Sequence, residues 1–550
     1  MRTELPLARA YHWESARPQE VLLTQPINGV AHDFTWAQTM QEARCMANHL
    51  IGKNWAPGSH IVIYSKNCCW WIMAELAIWM AGHTTVPIYA SLTGHSARQL
   101  FEHCEPVACF VGALDTAEPP EGAIPANIYL IRFPSAVTSN TASWKEIVGS
   151  TEPLAANPER RPDEIATIIY TSGTTGSPKG AMHRFSAFPY LAETVAQVSG
   201  ETRQRALSYL PLAHIAERGL AETTALYFSW HLFFNESIAT FLTDLKRARP
   251  TAFFSVPRLY IKFQQKVFER ISREKLARLQ RVSLMKTLAG KYILHGMGLG
   301  ETLFAASGSA ALPAELLTWF RSLGLPLTEG YGTTETGITH TAPDGESRPG
   351  YVGKEGPSVE TRISNNGEIL VRSPMNMAGY YKNSEATRQI LTEDGFIRTG
   401  DLGQRSADGW LRITGRIKEQ FKTAKGKYVS PAPLENLLAV HSAIENCLVL
   451  GSGLAAPCAI AVLTRDAYQQ ASTESGRAAL GKSFEDLLES VNGKVESQEH
   501  LAFIALVKDH WTIENGFITP TLKLKRSALE AFYASFLPAW MDLHTRVIWP

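Results

Sequence analysis

The sequence predicts an α/β protein. A large N-terminal region holds two α/β sheet subdomains and a small β-rich subdomain, and a small α+β C-terminal domain follows. Three observations predict this. Helix-period runs and β-branched runs alternate between residues 35 and 111, as in a parallel sheet with helices on its faces. A short apolar strand at 165–170 enters a Gly/Ser/Thr loop and then a helix-like stretch from Ser186. After His340 the pattern changes to short strands and Gly-rich turns, and near Ile417 a new set of helix and strand signals begins.

In chain order, residues 35–50 carry apolar side chains at helical spacing, and 60–64 form a β-branched run. Residues 70–81 are apolar but for Glu75 and end at Gly82. That stretch is too short to span a bilayer and reads as a buried helix. A strand at 84–89, a helix around 100–103 and a strand at 108–111 follow, then a Pro/Gly/Ala-rich loop at 115–127. A second α/β-like region covers 207–327, and short strands are predicted at 368–372 and 410–413. Beyond the main boundary, placed at 414–419, the pattern predicts a helix at 434–440 and strands at 447–450 and 459–463.

Bulk properties exclude several functions. Lys+Arg 53 against Asp+Glu 52 leaves a net charge of +1, too little field to hold a polyanion, so nucleic acid is not expected as a partner. The seven cysteines are odd in number and form no C-x-x-C pair, which argues against a disulfide framework or a zinc ribbon and for thiols in a reducing cytoplasm. The N-terminus shows no apolar signal-peptide core.

The most informative segment is Tyr170-Thr171-Ser172-Gly173-Thr174-Thr175-Gly176-Ser177-Pro178-Lys179-Gly180. Its glycines let backbone N–H groups approach an anion closely, its five Ser and Thr hydroxyls add donors, and Lys179 brings a mobile positive charge. Pro178 breaks the Walker spacing, and the dinucleotide pattern is absent too. The loop resembles the phosphate loop of the adenylate-forming enzymes: acyl-CoA synthetases, luciferases and the adenylation domains of peptide synthetases. Four further segments match in order: Glu329-Gly-Tyr-Gly-Thr-Thr-Glu335, Arg398-Thr-Gly-Asp401, Gly415-Arg-Ile-Lys418 and Thr519-Pro-Thr-Leu-Lys523. Within that superfamily, residues 207–218 and 249–258 are most similar to the medium- to very-long-chain fatty acid branch, and the chain as a whole to long-chain fatty acid–CoA ligases.

The resemblance implies an N-terminal adenylate-forming domain at 1–414, a hinge at 415–419 containing Lys418, and a mobile C-terminal lid at 420–550. It implies ATP, CoA and a fatty acid as substrates, with Mg²⁺ required. Thr171, Ser172, Gly173, Thr174, Thr175, Gly176 and Lys179 would surround the phosphates. Glu335 and Thr171 would share the metal, and Thr334 would touch the α-phosphate. Gly308, Ser309, Glu329, Gly330, Tyr331 and Gly332 would border adenine. Asp401 would bind the ribose diol, oriented by Arg416, and Lys422 would reach phosphate in one pose. Lys523 would bridge carboxylate and α-phosphate, with Lys525 its local rival and Leu522 standing where many members have glycine. His214 would lie beside the acyl carbonyl. Lys425 and Lys427 occupy the place of a Gly-Gly-Glu-type loop and suit the phosphates of CoA.

Two other uses of the same motifs stay open: transfer of the acyl group to a carrier protein, and a non-catalytic acyl- or nucleotide-binding homologue. The aromatics Trp230, Phe233, Phe234, Phe253 and Phe254 fit either an apolar tunnel or plain core. The basic run 262–291 fits a solvated helix or peripheral contact with an anionic membrane. Acyl chain length and oligomeric state are not legible.

Overall fold

The helix Cys69–Met80 is buried at every residue, Glu75 included. It has no polar face to turn outward, so it must be covered on all sides. It packs on one face of an eight-stranded sheet in this computed structural model, which describes residues 4–116, 119–136, 141–171, 178–512, 515–519 and 523–549. Strand alternation sets the two faces. Ile61 and Ile63 join the core containing that helix, while Val62 and Tyr64 join a second core with helix Gly94–Cys104.

The sheet runs in the order Gly379–Tyr380, Lys179–Arg184, Ile165–Thr171, Thr84–Ile88, His60–Tyr64, Ala108–Val111, Tyr129–Arg132 and Ala142–Ser143. It is parallel from Ile165–Thr171 onward, and the first two strands are antiparallel to their neighbours. The α/β class therefore holds, with a mixed edge. The region 207–327 does not form one sheet of its own. Strands Arg205–Ser208 and His231–Phe234 join the N-terminal hairpin Val21–Ile27 and Val30–Thr35. Strands Ala252–Ser255, Phe304–Ser307 and Leu327–Glu329 make a separate three-stranded parallel sheet. Local pattern shows strands but not their partners, which lie up to two hundred residues away.

The β-rich unit contains the antiparallel sheet Glu360–Ile363, Glu368–Arg372, Ile397–Arg405 and Leu411–Arg416. A single turn of tight helix, Ile417–Glu419, follows. From Phe421 on, the chain builds its own cores on the two faces of the sheet Ile444–Leu450, Cys458–Leu463, Ile504–Val507 and Val547–Ile548. Helices Pro431–Leu438 and Glu474–Asn492 cover one face, Arg526–Tyr533 and Leu537–Asp542 the other. Ion pairs Arg258–Glu445 (3.2 Å) and Lys494–Glu315 (3.1 Å) tie this part to the rest. All seven cysteines are free and buried. Among the described residues, no helix is long and apolar enough to cross a membrane.

Candidate active site

The strand Ile165–Thr171 delivers Thr171 to the start of the glycine-rich loop, and the next strand begins at Lys179. Thr171 and Lys179 pair across the two strands. Ser172, Gly173, Thr174, Thr175 and Gly176 lie outside the described residues. Lys179 Nζ stands 5.5 Å from the ring centre of Tyr380. The Tyr380 hydroxyl donates to Glu335 Oε1 at 2.7 Å. Tyr380 arrives on the edge strand that pairs with Ala181, so sheet geometry brings Thr171, Lys179 and Glu335 to one end of the sheet. Nothing local in the sequence signals Tyr380, because its partner stands 45 residues before it.

Glu335 sits in the turn between strands Tyr331–Thr333 and Gly337–Thr341. The turn is tight enough to demand Gly332, since a Cβ there would lie 2.0 Å from the Gly337 carbonyl oxygen. The hydroxyls of Thr333 and Thr336 meet at 3.1 Å and close the turn, with Thr334 between them. Among the described residues, no group of three or more His, Cys, Asp or Glu side chains is placed to hold an ion unaided. One carboxylate with Thr171 on the nearby strand end suits a magnesium ion that brings phosphate and water ligands of its own.

Tyr331 and Asp401 meet from different strands. The Tyr331 hydroxyl donates to Asp401 Oδ2 at 2.8 Å, and Arg416 Nε donates to Oδ1 at 2.6 Å. Asp401 and Arg416 face each other in register. Thr399-Gly400 signals a tight turn before Asp401, but Asp401 lies within the strand Ile397–Arg405. The turn signal at Gly400 is real yet milder: its φ of +72° bends the strand, and the Thr399 hydroxyl accepts from the Asp401 N–H at 3.1 Å. Burial lowers the Arg416 pKa, but Asp401 overrides it by charge and hydrogen bond and raises the guanidinium above its ordinary range. Both Asp401 oxygens have a protein partner, and a carboxylate retains lone pairs for further donors.

Glu329 is buried. Its Oε1 accepts from the Leu312 N–H at 3.1 Å, while Oε2 has no partner among the described residues. Burial pushes its pKa up to about 7, against the pull of that N–H. Gly308 lies where a Cβ would touch the Phe254 ring at 3.4 Å and the Gly330 carbonyl at 3.5 Å, and Ser309 takes a left-handed φ of +67°. These residues line one end of the three-stranded sheet, beside Glu329.

His214 caps the short helix Ile215–Glu217, its Nδ1 accepting from the Ala216 N–H at 3.2 Å. Burial and the positive charge of Lys523 lower its pKa to about 4, so it is neutral at physiological pH. Lys523 comes from the C-terminal part. Protein packed around its amino group, and Arg416, hold it below the ordinary lysine range, while Asp401, Glu419 and Glu335 pull it upward. Its side chain nonetheless keeps an exposed flank, so the amino group is crowded rather than sealed from solvent. Lysine, arginine, two candidate carboxylates and histidine thus converge from both sides of the 417–419 turn.

Other predicted residues stand apart. Lys418 is exposed in that turn, and Lys422 lies over the Tyr428 ring at 5.7 Å. Lys425 and Lys427 are exposed on the hairpin between strands Phe421–Lys422 and Tyr428–Val429. Trp230, Phe253 and Phe254 line a cavity of about 20 Å³ with Leu207, Glu217 and Leu220. Phe233 instead stacks on His231 at 4.1 Å, and Phe234 lies in the main core. Sequence reasoning missed Glu217. Burial raises its pKa to about 8, although the Ser208 hydroxyl and the Tyr209 N–H donate to it.

The family model described as AMP-binding enzyme matches residues 12–381, a span that includes Thr171, Lys179, His214, Tyr331 and Glu335. The chain belongs to the AMP-binding enzyme family. Among its relatives, the long-chain-fatty-acid–CoA ligase FadD15 of Mycobacterium bovis is 29% identical over 97% of this chain and 96% of its own. The peroxisomal long chain acyl-CoA synthetase 6 of Arabidopsis thaliana is 28% identical, over 92% of this chain and 82% of its own. A crystal structure of the adenylation domain of a carboxylate reductase from Mycobacterium chelonae superposes with a TM-score of 0.82 at 22% identity, covering 98% of this chain and 91% of that one. This last likeness establishes the fold.

Proposed function

We propose that this member of the AMP-binding family is a fatty acid–CoA ligase that works through an acyl-adenylate. In the first half-reaction a fatty acid carboxylate oxygen attacks the α-phosphorus of ATP, the bond to the β-phosphate oxygen breaks, and pyrophosphate leaves. In the second, the CoA thiolate attacks the acyl carbon and AMP departs. The observation that carries the reading is that Asp401, Arg416, Glu335 and His214 all lie within electrostatic reach of Lys523. A cation brought from a separate core to a cluster of nucleotide-type groups is what a reaction between two anions requires.

In this reading Lys523 draws the carboxylate and α-phosphate together. Asp401 accepts from the ribose hydroxyls while Arg416 holds it in place. Tyr331 offers its ring to adenine, and the unpartnered oxygen of Glu329 faces the base's amino group. Lys179 and the preceding loop hold the outer phosphates. Glu335 and Thr171 would hold Mg²⁺, which neutralises phosphate charge when bound. Thr334 borders the α-phosphate, and His214, neutral, borders the acyl carbonyl. The segment 415–419, with Lys418 exposed in it, serves as the hinge between 1–414 and 420–550, so that one site serves both steps.

The relatives' long-chain substrates support a fatty acid, and the cavity beside Phe254 is its proposed entry. The helix Ser283–Met297 exposes Leu284 (70%) and Tyr292 (83%) amid basic residues, which supports peripheral contact with an anionic membrane. Equal co-sedimentation with anionic and neutral liposomes would remove that contact. The main test offers purified protein MgATP and acids from short to very long chain, with and without CoA. Mass spectrometry should find acyl-CoA from fatty acids. Acyl-AMP that accumulates and ignores CoA would transfer the role of acceptor to a carrier protein.

A further inference from the structure

Behind the candidate active site lies a cavity of about 20 Å³ whose lining includes Thr167, His183 and Arg218. These bring polar atoms that have no partner among the described residues: Thr167 Oγ1, His183 Nε2 and Arg218 Nη1. All three residues are buried, at 1%, 3% and 1% exposure. A buried polar group left without a partner forfeits its hydration and gains nothing in return, so three around one cavity call for an occupant.

The chemistry of the three atoms defines that occupant. Arg218 Nη1 only donates. The His183 ring is neutral, since burial and the neighbouring Arg218 charge lower its pKa to about 4. The Thr334 backbone carbonyl attracts its N–H. With Nε2 unpartnered, the proton belongs on Nδ1, and Nε2 presents a lone pair. The Thr167 hydroxyl either gives or accepts. One donor, one acceptor and one group that does both are the complement of a single O–H oxygen.

Charge excludes an anion. Arg218 Nη2 lies 2.7 Å from Glu75 Oε1 and 3.4 Å from Glu222 Oε2. Burial drives Glu222 well above the ordinary carboxyl range despite the Arg218 charge, and the guanidinium already has two carboxyl groups beside it. A carboxylate or phosphate would find no spare positive charge here. Size agrees, because a cavity of this volume exceeds the ~10–15 Å³ that one water needs.

We infer that Thr167, His183 and Arg218 form a binding site for one neutral hydroxyl-type oxygen, supplied by a water molecule or by the hydroxyl of an acyl substrate. The site joins three segments of the candidate active site. His183 lies on the strand that begins at Lys179, Arg218 follows the helix capped by His214, and Thr334 precedes Glu335. An oxygen held there links all three from behind. The substrate source rests on the fatty-acid reading, and the water source does not.

High-resolution crystal structures of the full chain, alone and with 3-hydroxydodecanoate, test the site and separate the sources. Density for one oxygen bonded to the three atoms in both crystals identifies water. Density only with the hydroxy acid identifies the substrate hydroxyl. Density in neither overturns the inference. A second test reads the sign of a stability change. Thr167→Val keeps shape and strand propensity but removes one bond to the oxygen, so its urea midpoint should fall, while Thr167→Ser stays near the parent. Were the cavity dry, Val would relieve a buried unpartnered hydroxyl, and a raised midpoint would refute the site.

Discussion

Lys523→Ala should separate the two half-reactions. Two unit charges about 4 Å apart interact by ~4 kcal/mol at an effective dielectric of ~20. The exposed flank of Lys523 lets water screen part of this, leaving about 2–3 kcal/mol in the transition state. At 1.36 kcal/mol per tenfold, acyl-AMP formation should slow by about 30- to 150-fold. The second half-reaction, started from synthetic acyl-AMP and CoA, should change less than about threefold, because no new P–O bond forms there. The assay is rapid-quench mass spectrometry of each half alone. Lys525→Ala, on the exposed neighbour, should leave both rates near the parent. Equal slowing of both halves by Lys523→Ala, or a larger effect from Lys525→Ala, would refute the assignment.

Three further outcomes follow from the same geometry. Glu329 has a folded-state pKa of about 7, raised from 4.5, so the folded protein binds the extra proton and loses stability as pH rises between those values. Glu329→Gln should remove up to ~3 kcal/mol of that slope, read as urea midpoints from pH 5 to 8. An unchanged slope would show that Glu329 is ionised in the fold. Tyr380→Phe removes the hydroxyl that donates to Glu335 Oε1, and the Mg²⁺ concentration for half-maximal activity should shift several-fold while the KM for the fatty acid stays constant. Lys425→Ala and Lys427→Ala should each raise the KM for CoA about three- to tenfold, as expected for an exposed phosphate contact, and a constant KM would end the CoA role of that hairpin.

Local pattern carried most of the first sheet. Strands His60–Tyr64 and Ala108–Val111 stand where the β-branched and apolar runs put them, because their chemistry is written in consecutive residues. The helix Cys69–Met80 was legible for the same reason. Pairing was not legible. Val21–Ile27 lies beside His231–Phe234, and no short window records that choice. The site divides in the same way. Tyr331, Glu335, Asp401, Arg416 and Lys523 announce themselves in compact motifs whose hydroxyls, glycines and charges fit one nucleotide. Tyr380 and the trio Thr167, His183 and Arg218 meet their neighbours only through contacts made by folding. Asp401 shows the limit of turn chemistry: Gly400 bends the chain, yet ladder pairing with Arg416 keeps it a strand.

The adenylate itself can be tracked with a fatty acid carrying ¹⁸O at both carboxylate oxygens, incubated with MgATP and CoA. Attack of that carboxylate on the α-phosphorus and later thiolysis at the acyl carbon leave the bridging oxygen on the nucleotide. The account predicts one ¹⁸O in the AMP released with each acyl-CoA. Unlabelled AMP, or label recovered in phosphate or pyrophosphate, would contradict it.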